Sequence, residues 1–528
     1  MRGDTGRRLT RGTAQGTPRW PWLLLVLAAV LLIGSTSAPA TRAATTAPTA
    51  PSTSAVVTDP VATSSGDGAH RMIFWLPCGD VAALNDANLD RWKAKGVDGF
   101  VCMNRQLKGM GGTQDFTGDP TASLLGSNYS MQRSLRDSKI VDRARARGMK
   151  MYLGFYAVNY FNTQTPLRDW FDDAGWSQIV LPRVRDIAGA AKTLGVAGLA
   201  VDQELYPQTG NVRTASWRWN YKGNTRSEAV VRSMVRERGR QLMSTILGSR
   251  PSAEVLAYGT LFPESWEELV QQKVNGIRDA YTPLVYLDLW DGISSVPGYG
   301  AIRMYNSVFY KETHISGSTW DTALAYDYNR TYSLLSRRFS NWSYASSRFF
   351  TSPFAWINSG ISPWEQARSP AAVTQQLDAF RRWGTGQEFG LYAFRGLNGF
   401  DYSSYAAGMQ AGSAPGVVDT RPPDLRITSP TATSTGSTSG KVVVSGTAVD
   451  NLAVRAVRWR DQLGGGGVAT MTWQVTPGDY RSGWRWQMNW STPSLTLRPG
   501  PNLITIRAED STGLATETTL TVAGPLLP

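Results

Sequence analysis

Residues 198–206 read GLAVDQELY, a short apolar run that ends in two carboxylates, Asp202 and Glu204. Burying an unpaired charge is costly, so an acid beside a buried strand is paired, exposed at the strand's end or used in chemistry. Because strand side chains alternate between two faces, the two acids share one face, and Leu199 and Val201 share the other. The stretch therefore predicts a buried strand whose C-terminal end presents acids.

Seven other short apolar runs occur along the chain, and amphipathic stretches separate them. The eight runs are RMIFWLP (71–77), VDGFVCM (97–103), MKMYLGFY (149–156), GLAVD (198–202), EVLAYGT (254–260), PLVYLDL (283–289), SPFAWIN (352–358) and EFGLYAF (388–394). Helices are predicted near 82–95, 133–147, 176–194, 226–248, 263–278, 321–340, 370–384 and 401–410. Eight strands that alternate with helices predict an α/β fold, a (β/α)8 TIM barrel over residues 71–412, with its active site at the C-terminal ends of the strands.

The last fifth of the chain has a different texture. After a Pro/Gly-rich linker at 413–423, short β-rich runs separated by turns predict a small all-β sandwich over residues 424–528. The pieces VVVSGTAVDN and NLITIRAEDSTG resemble the immunoglobulin-like modules that are appended to many secreted bacterial enzymes.

Two features of this module leave alternatives open. One face of a predicted strand carries four large side chains, those of Trp484, Trp486, Met488 and Trp490. They form either the core of the sandwich or a sugar-binding strip. Asp450 and Asp510 precede turn-like segments, so either turn chemistry explains them or they hold a calcium ion.

The N-terminus has the pattern of a secretory signal peptide. Several arginines precede WPWLLLVLAAVLLIG (20–34), and the small residues APA (38–40) follow it. The apolar run is about 15 residues long, whereas a membrane-spanning helix needs roughly 20. We expect a signal peptide at 1–43, a Thr/Ala/Pro-rich linker at 44–70, and a secreted or cell-wall-associated protein with no membrane contact after cleavage.

The composition argues against several functional classes. The chain has 2 His and 2 Cys, too few for a zinc site built from those residues, and we expect neither a cofactor nor a metal in the active site. The formal net charge is +13, which fits either an anionic cell-wall polymer as partner or an ordinary solvated surface. No Lys/Arg-dense stretch with interleaved aromatics occurs, so a nucleic-acid partner is not expected.

The two cysteines end the first and second predicted strands. Cys78 and Cys102 would thus lie on neighbouring strands of the barrel, within reach of a disulfide bond. An exported protein favours the disulfide, and the alternative is two small apolar residues near the rim.

Acids and aromatics at the strand ends are typical of a sugar site. Cleaving a glycosidic bond requires one carboxylic acid to protonate the leaving oxygen and a second group to stabilise or trap the oxocarbenium-like centre. Two nearby carboxylates also raise one pKa, which keeps the acid protonated at neutral pH.

Gly198, Asp202 and Glu204 resemble the tail of the DxxDxDxE motif of family 18 glycoside hydrolases, the chitinase-like barrels. The resemblance implies that Glu204 is the acid and that Asp202 assists it. The run Tyr286-Leu287-Asp288 looks like the Tyr-x-Asp of the same family on the sixth strand.

We therefore predict that Glu204 is the general acid/base and that the carboxylate of Asp202 adjusts the pKa of Glu204. Asp288 is the first candidate for nucleophile or stabiliser, and Asp291 is the second. The alternatives are an ion pair between Glu204 and a rim arginine, and a loop-capping role for Asp288. Substrate contacts are predicted for Tyr156, Tyr258, Tyr286, Trp290, Trp356 and Asp291, although the tyrosines also suit the core.

These features together predict a secreted glycoside hydrolase that acts on a polysaccharide or a cell-wall glycan. The rival hypothesis is a noncatalytic glycan-binding or cell-wall adhesion protein that uses the same cleft, because a barrel alone does not specify catalysis. A polysaccharide lyase or esterase is a third reading, for which no suitable base stands out.

Overall fold

The computed structural model of the protein describes residues 71–103, 133–156, 169–202, 219–221, 223–259, 285–306, 319–356, 369–383, 388–392, 419–431, 440–476 and 485–525. The signal peptide predicted at 1–43 and the linker predicted at 44–70 lie outside these residues. Within them, no helix combines the length and the apolar character that crossing a membrane requires.

Eight parallel strands form a closed barrel in which each strand pairs with the next and the last pairs with the first. The strands are β1 (Arg71–Pro77), β2 (Val97–Met103), β3 (Lys150–Tyr156), β4 (Gly198–Asp202), β5 (Glu254–Gly259), β6 (Ala301–Asn306), β7 (Phe349–Trp356) and β8 (Glu388–Tyr392). The predicted (β/α)8 barrel is confirmed.

Helices lie between the barrel strands along the chain. They are α1 (Cys78–Ala82), α2 (Asp86–Ala94), α3 (Ile140–Arg145), α4 (Leu181–Leu194), α5 (Glu228–Ser249), α6 (Tyr286–Ser294), α7 (Thr319–Arg338), α8 (Trp342–Ala345) and α9 (Pro370–Trp383). A π-helical turn, Trp176–Val180, leads directly into α4. The helices predicted near 263–278 and 401–410 lie outside the described residues.

The predicted position of the sixth strand is wrong. Most of the run at 283–289 falls in helix α6, and the sixth strand is AIRMYN, Ala301–Asn306. Every residue of α6 is buried, its two aspartates included, so the helix lacks the solvent-exposed polar face that marks an amphipathic surface helix. A short apolar run of this kind has the same appearance in a buried helix and in a buried strand.

Helix α6 packs closely against α5. A Cβ atom on Gly239 of α5 would collide with the backbone of Leu289, and one on Gly292 of α6 would collide with the backbone of Arg236. The two glycines therefore allow the helix backbones to approach each other, which explains why α6 is buried on all sides.

Strand β4 shows how the barrel separates its two faces. Leu199 and Val201 belong to the large apolar cluster that includes the helices, whereas Ala200 belongs to a smaller cluster inside the barrel. The inner cluster contains Ile73, Trp75, Val101, Met103, Tyr152, Ala200, Leu256, Tyr258, Tyr305 and Phe354. The alternation predicted for β4 is therefore present.

A disulfide bond joins Cys78 and Cys102, as the sequence favours. Cys78 is the first residue of α1, directly after β1, and Cys102 lies in the neighbouring strand β2. Their Cα atoms are 4.4 Å apart. Both residues are buried, so the bond fixes the start of the first helix to the barrel wall.

The C-terminal region consists of antiparallel sheets. One sheet has the order β14-β15-β11-β9, a second has the order β13-β12-β17-β18, and β10 pairs with β16. The strands are β9 (Asp424–Ser429), β10 (Lys441–Val442), β11 (Ser445–Val449), β12 (Val454–Asp461), β13 (Gly466–Val468), β14 (Thr470–Thr476), β15 (Arg485–Ser491), β16 (Leu495–Thr496), β17 (Pro501–Asp510) and β18 (Ala515–Ala523). This arrangement is consistent with the predicted β-sandwich.

Two of the four large side chains predicted to share one face of a strand lie in the described part of the structure. Met488 and Trp490 are buried in the sandwich core, which agrees with the core interpretation and not with a sugar-binding strip. Trp484 and the side chain of Trp486 lie outside the described part of the structure.

Candidate active site at the C-terminal end of the barrel

Asp202 is the last residue of β4, at the C-terminal edge of the barrel. Its register neighbours are Tyr156 on β3 and Tyr258 on β5. In parallel strands the C-terminal ends meet at one edge, so these residues occupy one level of the rim. The sequence predicted this location for Asp202. Glu204, two residues further along the chain, lies outside the described residues.

The same level continues across the next two strands. Tyr258 pairs with Tyr305 on β6, and Tyr305 pairs with Ser352 on β7. The row around Asp202 thus contains three tyrosines, Tyr156, Tyr258 and Tyr305.

Aromatic rings fill the barrel interior at this level. The ring of Tyr258 lies 4.8 Å from that of Phe354 and 5.9 Å from that of Trp75, between centroids. Trp75 also packs edge-on against Tyr305 and Phe354, each at 5.7 Å. Tyr258 keeps 7% of its surface exposed and Tyr305 keeps 0%, so Tyr258 is the nearer of the two to solvent.

The opposite end of the barrel carries a charged cluster. The Tyr152 hydroxyl donates a hydrogen bond of 2.9 Å to Glu254 Oε2, and Lys150 Nζ lies 3.2 Å from the same oxygen. Lys150 and Glu254 are the first residues of β3 and β5. Because the charges of Lys150 and Glu254 are paired with each other, we infer that this end of the barrel has a structural role.

Asp288 does not lie at the mouth of the barrel. It sits in the first turn of α6, 5% exposed, where Arg232 Nη1 and Arg236 Nη2 of α5 each approach its carboxylate to 2.5 Å. Burial raises the pKa of Asp288, and the attraction of the two guanidinium groups opposes that rise. The prediction that Asp288 ends a barrel strand is therefore wrong, and the carboxylate joins two helices.

The neighbouring predictions on this run share that error. Asp291 accepts hydrogen bonds from the backbone N–H of Ser340 at 2.7 Å and from Arg236 Nε at 2.9 Å. Tyr286 and Trp290 are fully buried in the same helix. These residues lie between α5 and the barrel wall and not at a strand end, so the reason for predicting that they contact the substrate no longer holds.

The other predicted contact residues end barrel strands. Tyr156 is the last residue of β3, and Trp356 is the last residue of β7, where it pairs with Tyr392. Their backbone positions agree with the prediction, and the directions of their side chains lie outside what the structure describes.

The sequence reasoning missed Tyr305 and Asn306, which end β6 in the place given to Tyr286 and Asp288. A signal for them was present. In AIRMYN the outward residues Ile302 and Met304 alternate with the inward Tyr305, which is the period of a strand. Arg303 interrupts the apolar character of the run and hides that period.

Acidic residues close enough to share a metal ion occur elsewhere. Among the described residues, the single such group is Asp419, Asp450 and Asp510, and it belongs to the C-terminal sandwich.

No protein-family model matches the chain, and no curated protein is similar to it in sequence. Solved barrel enzymes resemble it distantly. An endo-1,4-β-mannanase from Eisenia fetida is 14% identical with a TM-score of 0.34, over 64% of this chain and 84% of that one. A class V chitinase from Pseudomonas fluorescens is 12% identical with a TM-score of 0.32, over 65% and 99%. A β-galactosidase from Marinomonas ef1 is 8% identical with a TM-score of 0.37, over 65% and 59%. Roles for individual residues therefore rest on the geometry of this chain alone.

Proposed function

We propose that the protein is an exported glycoside hydrolase that cleaves a polysaccharide or a cell-wall glycan at the C-terminal mouth of its barrel. The observation that carries the proposal is the end of β4, where Asp202 lies in register between Tyr156 and Tyr258. Barrel enzymes place their catalytic groups at this edge.

In this mechanism Glu204 is the general acid. Ala200 lies inside the barrel, and the alternation of strand side chains in the sequence predicts the same face for Asp202 and Glu204. The proton of Glu204 passes to the glycosidic oxygen as the bond to the anomeric carbon breaks, and a water molecule adds to that carbon and gives up a proton, which restores the acid. We expect Asp202 to favour the protonated form of Glu204, because two nearby carboxylates oppose each other's ionisation.

A noncatalytic glycan-binding role is the second candidate, and one observation favours it. Asp288 and Asp291 are held by arginines between α5 and α6, so neither supplies the second carboxylate that hydrolysis needs across the cleft. A mouth with aromatic rings and no second carboxylate among the described residues across from Asp202 suits binding as well as turnover.

Export is part of the proposal. It is supported by the charged and apolar segments of residues 1–43 and by the disulfide between Cys78 and Cys102, because disulfides persist in oxidising compartments.

The decisive experiment measures release of reducing sugar from a panel of chitin, mannan, cellulose and peptidoglycan. We expect Glu204→Gln to lower the rate at least about 100-fold, since it removes a positioned proton donor. Glu237→Gln is the matched control, because Glu237 is a half-exposed acid on α5 that pairs with Arg240. The melting temperatures of both variants should stay near that of the wild type.

Two results contradict parts of the proposal. Full activity of Glu204→Gln removes Glu204 from the reaction but leaves the hydrolase. Binding of one polymer by the wild type without release of sugar selects the noncatalytic alternative.

A further inference from the structure

Three aspartates from separate parts of the chain meet at one end of the sandwich. Asp419 precedes β9, Asp450 follows β11, and Asp510 ends β17. One carboxylate oxygen from each can be chosen so that all three oxygens lie within 4.8 Å of one another. Asp450 is 7% exposed and Asp510 is 0% exposed, so two of the three acids are buried.

Turn hydrogen bonds account for one oxygen of each carboxylate. Asp450 Oδ1 accepts from the backbone N–H of Leu452 at 2.8 Å. Asp510 Oδ1 accepts from three successive backbone N–H groups, those of Thr512, Gly513 and Leu514, at 2.6–2.9 Å. These bonds form the turns that the sequence predicts after each aspartate.

Asp419 is held in the same way. Its Oδ1 accepts from the backbone N–H of Arg421 at 3.1 Å and from Asn451 Nδ2 at 3.2 Å. Asn451 directly follows Asp450, so this contact connects the segment that enters the sandwich with the loop after β11.

The second oxygen of each carboxylate has no such explanation. Asp419 Oδ2, Asp450 Oδ2 and Asp510 Oδ2 are all buried, and none has a hydrogen-bond partner within the described residues. A buried carboxylate oxygen without a donor or a cation destabilises the folded state, as an unpaired buried ion does. Burial, together with the charges of the other two acids, raises the pKa of Asp450 to about 7.

We propose that Asp419, Asp450 and Asp510 bind one calcium ion through their Oδ2 atoms. Calcium takes oxygen ligands at about 2.4 Å, so two ligands on opposite sides of the ion are about 4.8 Å apart. One oxygen from each of the three carboxylates fits within that diameter. Three negative charges and an all-oxygen donor set suit a hard divalent cation, and backbone carbonyls or water complete its coordination.

The ion has a structural role at the junction between the two domains. Asp419 belongs to the segment that leads into β9. Close to Asp450, the backbone N–H of Val454 donates a hydrogen bond to Asn329 Oδ1 of the barrel helix α7 at 3.3 Å. Calcium would thus tie the entering segment to the two loops that lie at the barrel side of the sandwich.

The test is calcium binding by the full-length mature protein, first stripped with EGTA. We expect isothermal titration calorimetry to show one site per chain, and 1 mM Ca²⁺ to raise the melting temperature by about 5 °C, because a ligand that binds only the folded state stabilises it. Mg²⁺ at the same concentration should give a smaller shift, since it prefers strict octahedral geometry at shorter distances.

Asp450→Asn and Asp510→Asn are the diagnostic variants. Asparagine keeps the oxygen that accepts the turn hydrogen bonds and replaces Oδ2 by a donor, so the turns are retained. We expect both variants to lose the calcium-dependent shift. In EGTA their melting temperatures should equal or exceed that of the wild type, because each removes a buried unpaired charge.

Asp461→Asn is the matched control. Asp461 Oδ1 accepts from the backbone N–H groups of Leu463 and Gly465 in the β12–β13 turn, outside the three-aspartate group. This variant should keep the full calcium response. The proposal is overturned if the wild type binds no calcium at millimolar concentration, or if Asp450→Asn and Asp510→Asn respond as the wild type does.

Discussion

Tyr258 and Tyr305 are neighbours in register, and they differ in how close they lie to solvent. We predict that Tyr258→Phe lowers kcat/KM on the substrate found in the panel by about 3- to 10-fold, because one hydrogen bond of about 0.5–1.5 kcal/mol is lost. Tyr305→Phe should change kcat/KM less than twofold, since its ring lies deeper in the barrel. Steady-state kinetics on both variants checks this.

Equal losses in the two variants would mean that the hydroxyl groups act through packing and not through the ligand. Melting temperatures close to that of the wild type are expected for both variants, because each keeps its ring contacts with Trp75 and Phe354.

Asp202 shows how far local sequence determines a site. The run GLAVD has apolar residues in strand alternation and stops at an acid, so the sequence located both the strand and its end. What the sequence could not supply is the partner across the cleft, because partners come from strands that are distant in the chain and their register is set by the closed barrel.

The predicted and observed secondary structures diverge most between β5 and β6. The runs that became β1 to β5 were placed within one residue at each end, since each is a short apolar run next to a helix or a turn. The apolar run at 283–289 predicts the sixth strand, but most of it forms α6, and the sixth strand is the less apolar run at 301–306. Burial on all sides comes from contacts between α5 and α6, and tertiary contacts of that kind leave no periodic mark in the sequence.

Helix α6 offers a test of the structural role of Asp288. We predict that Asp288→Asn lowers the free energy of unfolding by roughly 3 kcal/mol, because Arg232 and Arg236 lose a buried partner. Urea unfolding measures the loss. Asp142→Asn is the control, since Asp142 pairs with Arg145 on the surface of α3, where an ion pair contributes about 0–1 kcal/mol.

The same variant separates structure from catalysis. At a temperature where Asp288→Asn is folded, its kcat should match that of the wild type within about twofold, because the carboxylate lies between helices. A loss of kcat of about 100-fold at unchanged stability would return Asp288 to the active site that the sequence predicted.

The barrel and the sandwich share an extensive interface along α7, although the sequence suggests a module appended through a linker. Ser333 Oγ donates to the carbonyl of Met471 at 3.1 Å and accepts from the backbone N–H of Trp473 at 3.2 Å. The ring of Trp473 meets that of Tyr326 edge-on at 4.8 Å. Helix α7 is thus hydrogen-bonded to the backbone of β14 through the Ser333 hydroxyl group. Most residues of α7 are buried.

These contacts predict that the two domains unfold together. At a fixed Ca²⁺ concentration, urea transitions followed by tryptophan fluorescence and by circular dichroism should coincide, as they do for a single cooperative unit. Trp473→Ala should lower the free energy of unfolding by about 2 kcal/mol and separate the transitions, since it removes an aromatic contact and buried area at the interface. Leu503→Ala is the control, because Leu503 is exposed on β17. Two separate transitions in the wild type would show instead that the sandwich folds independently of α7.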